Sequence, residues 1–172
     1  MRQQLYLITG VMASGKSTIA ELLAAKTDPC VHLRGDVFRR MIVSGREEMS
    51  ETPSPEAFHQ LHLRYQLTAE TAKTYYKNGF SVVIQDNYYG AELGRMLGLL
   101  EGYAVNVAVL CPRAEVVKER EQNRGKTGYT GFSVESLHDT FMKETPRIGF
   151  WLDNSDLTPQ QSADEILGYF TE

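Results

Sequence analysis

The chain has 172 residues, 42% of them hydrophobic and 23% charged, which fits one folded domain (1–172) and excludes a disordered chain. Its net charge of -4 argues against a nucleic-acid or anionic-membrane partner, because phosphate surfaces call for a basic face. No apolar run is long enough for a membrane span, and Met1-Arg2-Gln3-Gln4 enters a strand without a signal-peptide core, so a cytoplasmic location is expected.

Strand-like and helix-like segments alternate along the chain. Leu5 to Thr9 predicts a short buried strand, Lys16 to Lys26 a helix, and Cys30 to Leu33 a second strand. A short helix is expected from Asp36 to about Val43, followed by a polar, Pro-bearing mobile loop from Ser44 to Ser54. Ser54-Pro55-Glu56 is a helix start. Phe58, Leu61, Tyr65, Ala69, Ala72 and Tyr76 then recur at three- and four-residue steps along one face, until Asn78-Gly79 ends the helix.

Ser81 to Gln85 predicts a third strand, Ala91 to Leu100 a helix, and Ala104 to Leu110 a fourth strand stopped by Cys111-Pro112. A charged helix follows from about Ala114 to Arg124, and a segment with three glycines, Gly125 to Gly131, interrupts it before a helix resumes near Val134. Ile148 to Leu152 is a candidate fifth strand. Thr158-Pro159-Gln160-Gln161 is a capping box that opens a last helix. Apolar strands alternating with helices predict an α/β fold with a parallel sheet covered on both faces. The two cysteines, Cys30 and Cys111, have no metal-like spacing and are expected to be reduced, buried thiols.

One motif carries the chemistry. Gly10-Val11-Met12-Ala13-Ser14-Gly15-Lys16-Ser17 fits G-x-x-x-x-G-K-[ST], with a buried strand before it and a helix after it. Such a loop wraps a phosphate with backbone N–H groups at a helix N-terminus, so Gly10, Ala13, Ser14, Gly15, Lys16, Ser17 and Thr18 are the candidate nucleotide-binding residues. Lys16 should reach the β- and γ-phosphates, and Ser17 should place its hydroxyl on magnesium. An N-K-x-D guanine motif is absent, which leaves ATP as the expected nucleotide.

The cradle, Arg34-Gly35-Asp36, Gln85-Asp86, the Arg120/Arg124 helix and Leu152-Asp153-Asn154-Ser155 stand in an order that resembles the small-molecule P-loop kinases. That group includes shikimate, gluconate and adenylylsulfate kinases and chloramphenicol phosphotransferase, and the chain is most similar to the last. The resemblance implies a three-layer α/β fold with a five-stranded parallel sheet in the order 2-3-1-4-5. It implies an acceptor flap at about 44–65 and a lid at about 120–135. It further implies transfer of the γ-phosphoryl group of ATP, with Mg2+, to a hydroxyl of a small molecule, a metabolite or an antibiotic.

By the same resemblance Asp36 faces the acceptor hydroxyl as base, although it also stands where a helix cap would. Asp86 would hold magnesium or the acceptor; Gln85-Asp86-Asn87 lacks the tandem acids of many relatives, and Asp86 could instead cap the next helix. Arg120 and Arg124 would close over the phosphates, or form a solvated helix face with Glu119 and Glu121; Arg113 is a weaker third candidate. Asn154 and Ser155 would pass the adenine edge, or form a plain polar turn. Arg39 and Arg40 would meet an anionic acceptor, whereas Phe38, Met41, Phe58, Tyr88 and Tyr89 would suit an aromatic one. The alternatives from other classes are a non-catalytic nucleotide-binding switch and a nucleotide- or nucleic-acid-end kinase. No nucleic acid or membrane partner is expected, and the chain is expected to be a monomer or homodimer.

Overall fold

The segment Leu5–Gly10 forms strand β1, buried at every position because parallel strands here are covered on both faces. The structure is a computed structural model that describes residues 2–125 and 133–171. β1 is joined by β2 (Cys30–Arg34), β3 (Ser81–Gln85), β4 (Val105–Leu110) and β5 (Phe150–Leu152) in the order β2-β3-β1-β4-β5, every pairing parallel. The sheet order and class are those implied by the resemblance. Leu5 lies opposite Val82 and Val105, and Gly10 opposite Leu110, so the carboxyl ends of the three central strands finish close together. After β3 the chain crosses β1 to reach β4. Such a crossing opens a crevice above the strand ends, where ligands bind in folds of this kind.

Alternation along β1 builds two cores. Tyr6 and Ile8 face Ile19, Ala20 and Leu23 of α1 (Lys16–Ala25) and Ala163 and Ile166 of α7 (Pro159–Thr171). Leu5 and Leu7 face the other way. They meet Tyr65, Ala69 and Ala72 of α3 (Pro55–Lys77), Leu93 and Met96 of α4 (Ala91–Leu99), and Phe141 of α6 (Val134–Glu144). Each fully buried Leu or Ile contributes roughly 1.5–3 kcal/mol, so both layers are strongly held.

Helix signals in the sequence act as expected. Ser54 Oγ accepts a hydrogen bond from the Ala57 amide at 3.0 Å with Pro55 behind it. The capping box closes in both directions: Gln161 Oε1 accepts from the Thr158 amide at 2.9 Å, and Thr158 Oγ1 accepts from the Gln161 amide at 3.1 Å. No described helix is long and apolar enough to cross a membrane.

Three details differ from expectation. Helix α2 (Asp36–Arg40) stops before Val43, because the following loop is drawn toward α3: Gln60 bonds the Gly45 carbonyl at 2.8 Å and the Glu47 amide at 2.8 Å. The fifth strand is three residues long and begins only after Gly149. Cys30 and Cys111 are free but half-buried rather than fully enclosed, and burial pushes the Cys30 thiol up to about 11.

Gly149 has φ +76, and a Cβ there would run into the Val107 carbonyl oxygen. Left-handed backbone costs an L-residue about 1–2 kcal/mol, and overpacking against a fixed strand adds about 1–3 kcal/mol. Gly149→Ala is therefore expected to lower the unfolding free energy by about 2–5 kcal/mol in urea denaturation. A loss under about 1 kcal/mol would mean that β5 does not depend on this turn.

Candidate active site

The cradle residues lie between β1 and α1, where Ala13 has φ 63 and Gly15 φ 95. A left-handed alanine is held against its preference by the surrounding bonds. The Ser14 amide donates to the Val11 carbonyl at 3.2 Å, and the Ser14 carbonyl accepts from Asn154 Nδ2 at 2.9 Å and Arg120 Nη1 at 3.4 Å. Ser14 is fully buried, while Ala13, Gly15, Lys16, Ser17 and Thr18 line a cleft of about 1640 Å³. The Lys16 ammonium folds back onto the Val11 carbonyl at 2.7 Å. Burial pushes it down to about 7, with Asp86 opposing that shift and Arg124 adding to it. The Ser17 hydroxyl donates to Gln85 Oε1 at 3.2 Å.

Beside the cradle stand the two candidate carboxylates, both gathered by one guanidinium. Arg64, from α3, donates from Nε to Asp86 Oδ2 at 2.7 Å and from Nη2 to Asp86 Oδ1; its Nη1 lies 3.7 Å from Asp36 Oδ1. The Asn87 amide also donates to Asp86 Oδ1, at 2.8 Å. The Arg64 and Asp86 side chains are 11% and 3% exposed, so the pair is desolvated. Gly35 packs directly on Asp86: a Cβ there would overlap Oδ2 and come within 3.0 Å of Cγ.

Asp36 starts α2 at the rim of the same cleft. Its oxygens accept from Arg39 Nε at 2.8 Å and Arg40 Nε at 2.7 Å. Burial alone would raise its carboxyl; the Arg39, Arg64 and Arg40 guanidiniums outweigh that and hold it below the ordinary carboxylate value. Arg39 also pairs with Glu48 of the loop.

At the other end of the cleft Arg120, from α5 (Ala114–Asn123), donates to the Ser14 and Asn154 carbonyls, the latter at 2.9 Å. Arg124 lines the cleft as well and donates to Glu121 at 3.2 Å. Asn154 is buried as a brace of the cradle. Ser155 lies outside the cleft lining: it accepts from the Arg113 amide at 2.8 Å and donates to Asp153. Arg113 pairs with Asp156 at 3.0 Å on the surface. The glycine-rich part of the expected lid, 126–132, lies outside the described residues.

The part of the cleft beside Asp36 is walled by Phe38, Met41, Phe58, Leu61 and Tyr89, with Glu92 and Arg64 as polar neighbours. Tyr88, by contrast, is core. Gln85 and Arg64, the residues that hold Ser17 and Asp86, were not among the sequence candidates. Gln85 carries no motif of its own. Arg64 left a faint signal, three residues after Leu61 and four before Thr68 on the buried face of α3, where a charge needs a partner.

Residues 5–145 match the model of a family described as an AAA domain. A search of curated proteins finds no match. Among solved structures, the chain is similar to a sugar kinase from Janibacter sp. HTCC2649, at 20% identity and TM-score 0.72, covering 98% of this chain and 95% of that one. It is also similar to the Deinococcus radiodurans tunicamycin resistance protein, at 18% identity and TM-score 0.74, over 98% and 96% of the two chains. The Mycobacterium tuberculosis APS kinase CysC, in complex with AMPPNP and APS, aligns at 16% identity and TM-score 0.74 over 99% of each chain. At these identities the likeness is one of fold.

Removing one member of a buried pair leaves the other charge desolvated and costs about 3–5 kcal/mol. Arg64→Ala is thus expected to lose about that much unfolding free energy in chemical denaturation. A loss below about 1 kcal/mol would mean that water reaches Asp86 freely.

Proposed function

The chain belongs to the AAA-domain family of P-loop proteins, and from that premise we propose that it is an ATP-dependent phosphotransferase, moving the γ-phosphoryl group to a hydroxyl of a small molecule. The observation that carries this reading is one continuous cleft in which the cradle's Lys16 and Ser17 share a space with Asp36 and an apolar-walled recess. The sugar kinase and the APS kinase among its structural neighbours agree with it.

In this reading the cradle amides and the N-terminus of α1 hold the β-phosphate, and Lys16 leaves the Val11 carbonyl for the phosphate oxygens. Phosphate anions favour the charged form of Lys16, which burial disfavours. Arg120 and Arg124 approach the same oxygens and offset charge as the γ-phosphoryl group departs. Asn154, which lines the cleft, carries the backbone past the adenine edge, and Ser155 fixes the turn behind it. Among the described residues no group of three or more His, Cys, Asp or Glu could hold a metal by itself. A magnesium ion would be held by the Ser17 hydroxyl together with the bound nucleotide, and it would supply charge neutralisation there.

The acceptor enters between Phe38, Phe58 and Tyr89, with Asp86 and Arg64 as the floor and Arg39 and Arg40 at the rim. Asp36, ionised because three guanidiniums surround it, accepts the hydrogen bond of the attacking hydroxyl and takes its proton as the new P–O bond forms.

The test is ADP release from ATP over a panel of hydroxylated metabolites and antibiotics. ATP binding without stimulation by any acceptor would overturn the phosphotransferase in favour of a nucleotide switch. With an active acceptor, Lys16→Ala is expected to lose at least about 100-fold in turnover, since one preorganised donor is worth about 2.7–4 kcal/mol. Near-normal transfer by this variant would contradict the mechanism. Asp36→Asn should lose about 100- to 10,000-fold in turnover with ADP affinity unchanged; an equal loss in ADP affinity would place Asp36 on the nucleotide instead.

A further inference from the structure

We propose that the outer-sphere metal contact of this site is the neutral amide of Gln85, and that Asp86, the carboxylate beside it, takes no part in holding the cation. The inference rests on the nucleotide reading above and assigns the metal side of that same site.

Two observations on adjacent residues carry it. The residue already joined to the Ser17 hydroxyl is Gln85, through Oε1 at 3.2 Å, at the last position of β3 and on the cleft lining. A cation bound to that hydroxyl and to phosphate oxygens carries waters in its remaining positions, because magnesium dehydrates reluctantly. The oxygen of Gln85 stands where it can accept a hydrogen bond from one of those waters.

Asp86 is committed elsewhere. Arg64 takes both of its oxygens, the Asn87 amide takes Oδ1 again at 2.8 Å, and the Gly35 backbone packs against the carboxylate from the other side. Turning it toward Ser17 would break a desolvated pair and leave Arg64, 11% exposed, with the 3.7 Å contact to Asp36 as its one ion pair among the described residues. A water-mediated contact to the cation is a smaller gain than that loss, since the ion already has the phosphates to neutralise it. The site thereby keeps its full negative charge on the nucleotide, and the cation's hold depends on phosphate and on hydrogen bonding through Gln85.

The consequence is measurable without an acceptor. ADP affinity is determined by titration calorimetry with magnesium and with chelator, for the intact chain and for three variants, and the ratio of the two dissociation constants is the readout. In the wild-type chain magnesium should tighten ADP. Gln85→Ala should shrink the ratio about tenfold or more, the usual loss on removing an outer-shell partner, with ADP affinity in chelator nearly unchanged. Gln85→Glu, which brings a carboxylate to the same place, should enlarge it. Asp86→Asn, which keeps an acceptor for Arg64, should leave the ratio within about twofold.

A ratio that collapses in Asp86→Asn while Gln85→Ala matches the wild type would overturn the inference. If Asp86→Asn fails to fold, the opposite shifts of the two Gln85 variants decide the matter alone: shifts in the stated directions support the assignment, and no shift in either refutes it. Wild-type ADP binding that ignores magnesium would refute it too, while leaving the nucleotide reading intact. No ADP binding at millimolar concentration would remove both.

Discussion

One guanidinium lies between two carboxylates at the carboxyl edge of the sheet, and much of the site follows from that placement. Asp36 and Asp86 end up close together because β2 and β3 are neighbours in register, with Arg34 opposite Gln85. Without Arg64 the two anions would face each other across a poorly solvated space with no cation between them. With it, Asp86 becomes a fixed part of the floor, while Asp36, shared among three arginines and only partly buried, remains the carboxylate that a ligand can meet. Because Arg64 is carried by α3, the same contact ties the long helix to the strand ends. The geometry of that side of the cleft thus depends on the packing of α3 through Tyr65, Ala69 and Ala72.

The two ends of the cleft are built differently. At the nucleotide end the cradle is braced from behind: Asn154 and Arg120 both hold the Ser14 carbonyl, fixing the loop before any ligand arrives. Electrostatic stabilisation works best from groups that need no rearrangement. At the end walled by Phe38 and Met41, α2 is a helix of five residues. Its connection to α3 leaves Met41 and Val43 largely exposed, stitched mainly by Gln60, Arg39 and Glu48. Few buried apolar contacts and exposed hydrogen bonds are the properties of a segment that opens at low cost.

The strands and the cradle were legible in the sequence because they rest on local signals, whereas the order of the strands came with the family resemblance. Continuous apolar strands, Pro55 and Pro159 at helix starts, and the full G-x-x-x-x-G-K-S run each constrain their own neighbourhood. What escaped was set by contacts between distant segments. Asp86 stands at a strand end, where a metal-holding acid is common, and nothing nearby in sequence announces that residue 64 neutralises it. Gln85 looked like the last residue of a strand, and its closeness to Ser17 depends on the register of β1 with β3. Asn154 and Ser155, adjacent in a polar turn, part company in the fold: one side chain enters the cradle's support and the other pins the turn after β4. The early end of α2 reflects the pull of Gln60, fifteen residues beyond Gly45.

The division of labour between Gln85 and the Arg64–Asp86 pair is most directly tested by the anomalous scattering of manganese in crystals grown with ADP. The account predicts a single peak beside Ser17 Oγ, a water between it and Gln85 Oε1, and Asp86 still held by Arg64. A peak coordinated by Asp86 itself or through its water, with Arg64 displaced, would contradict it.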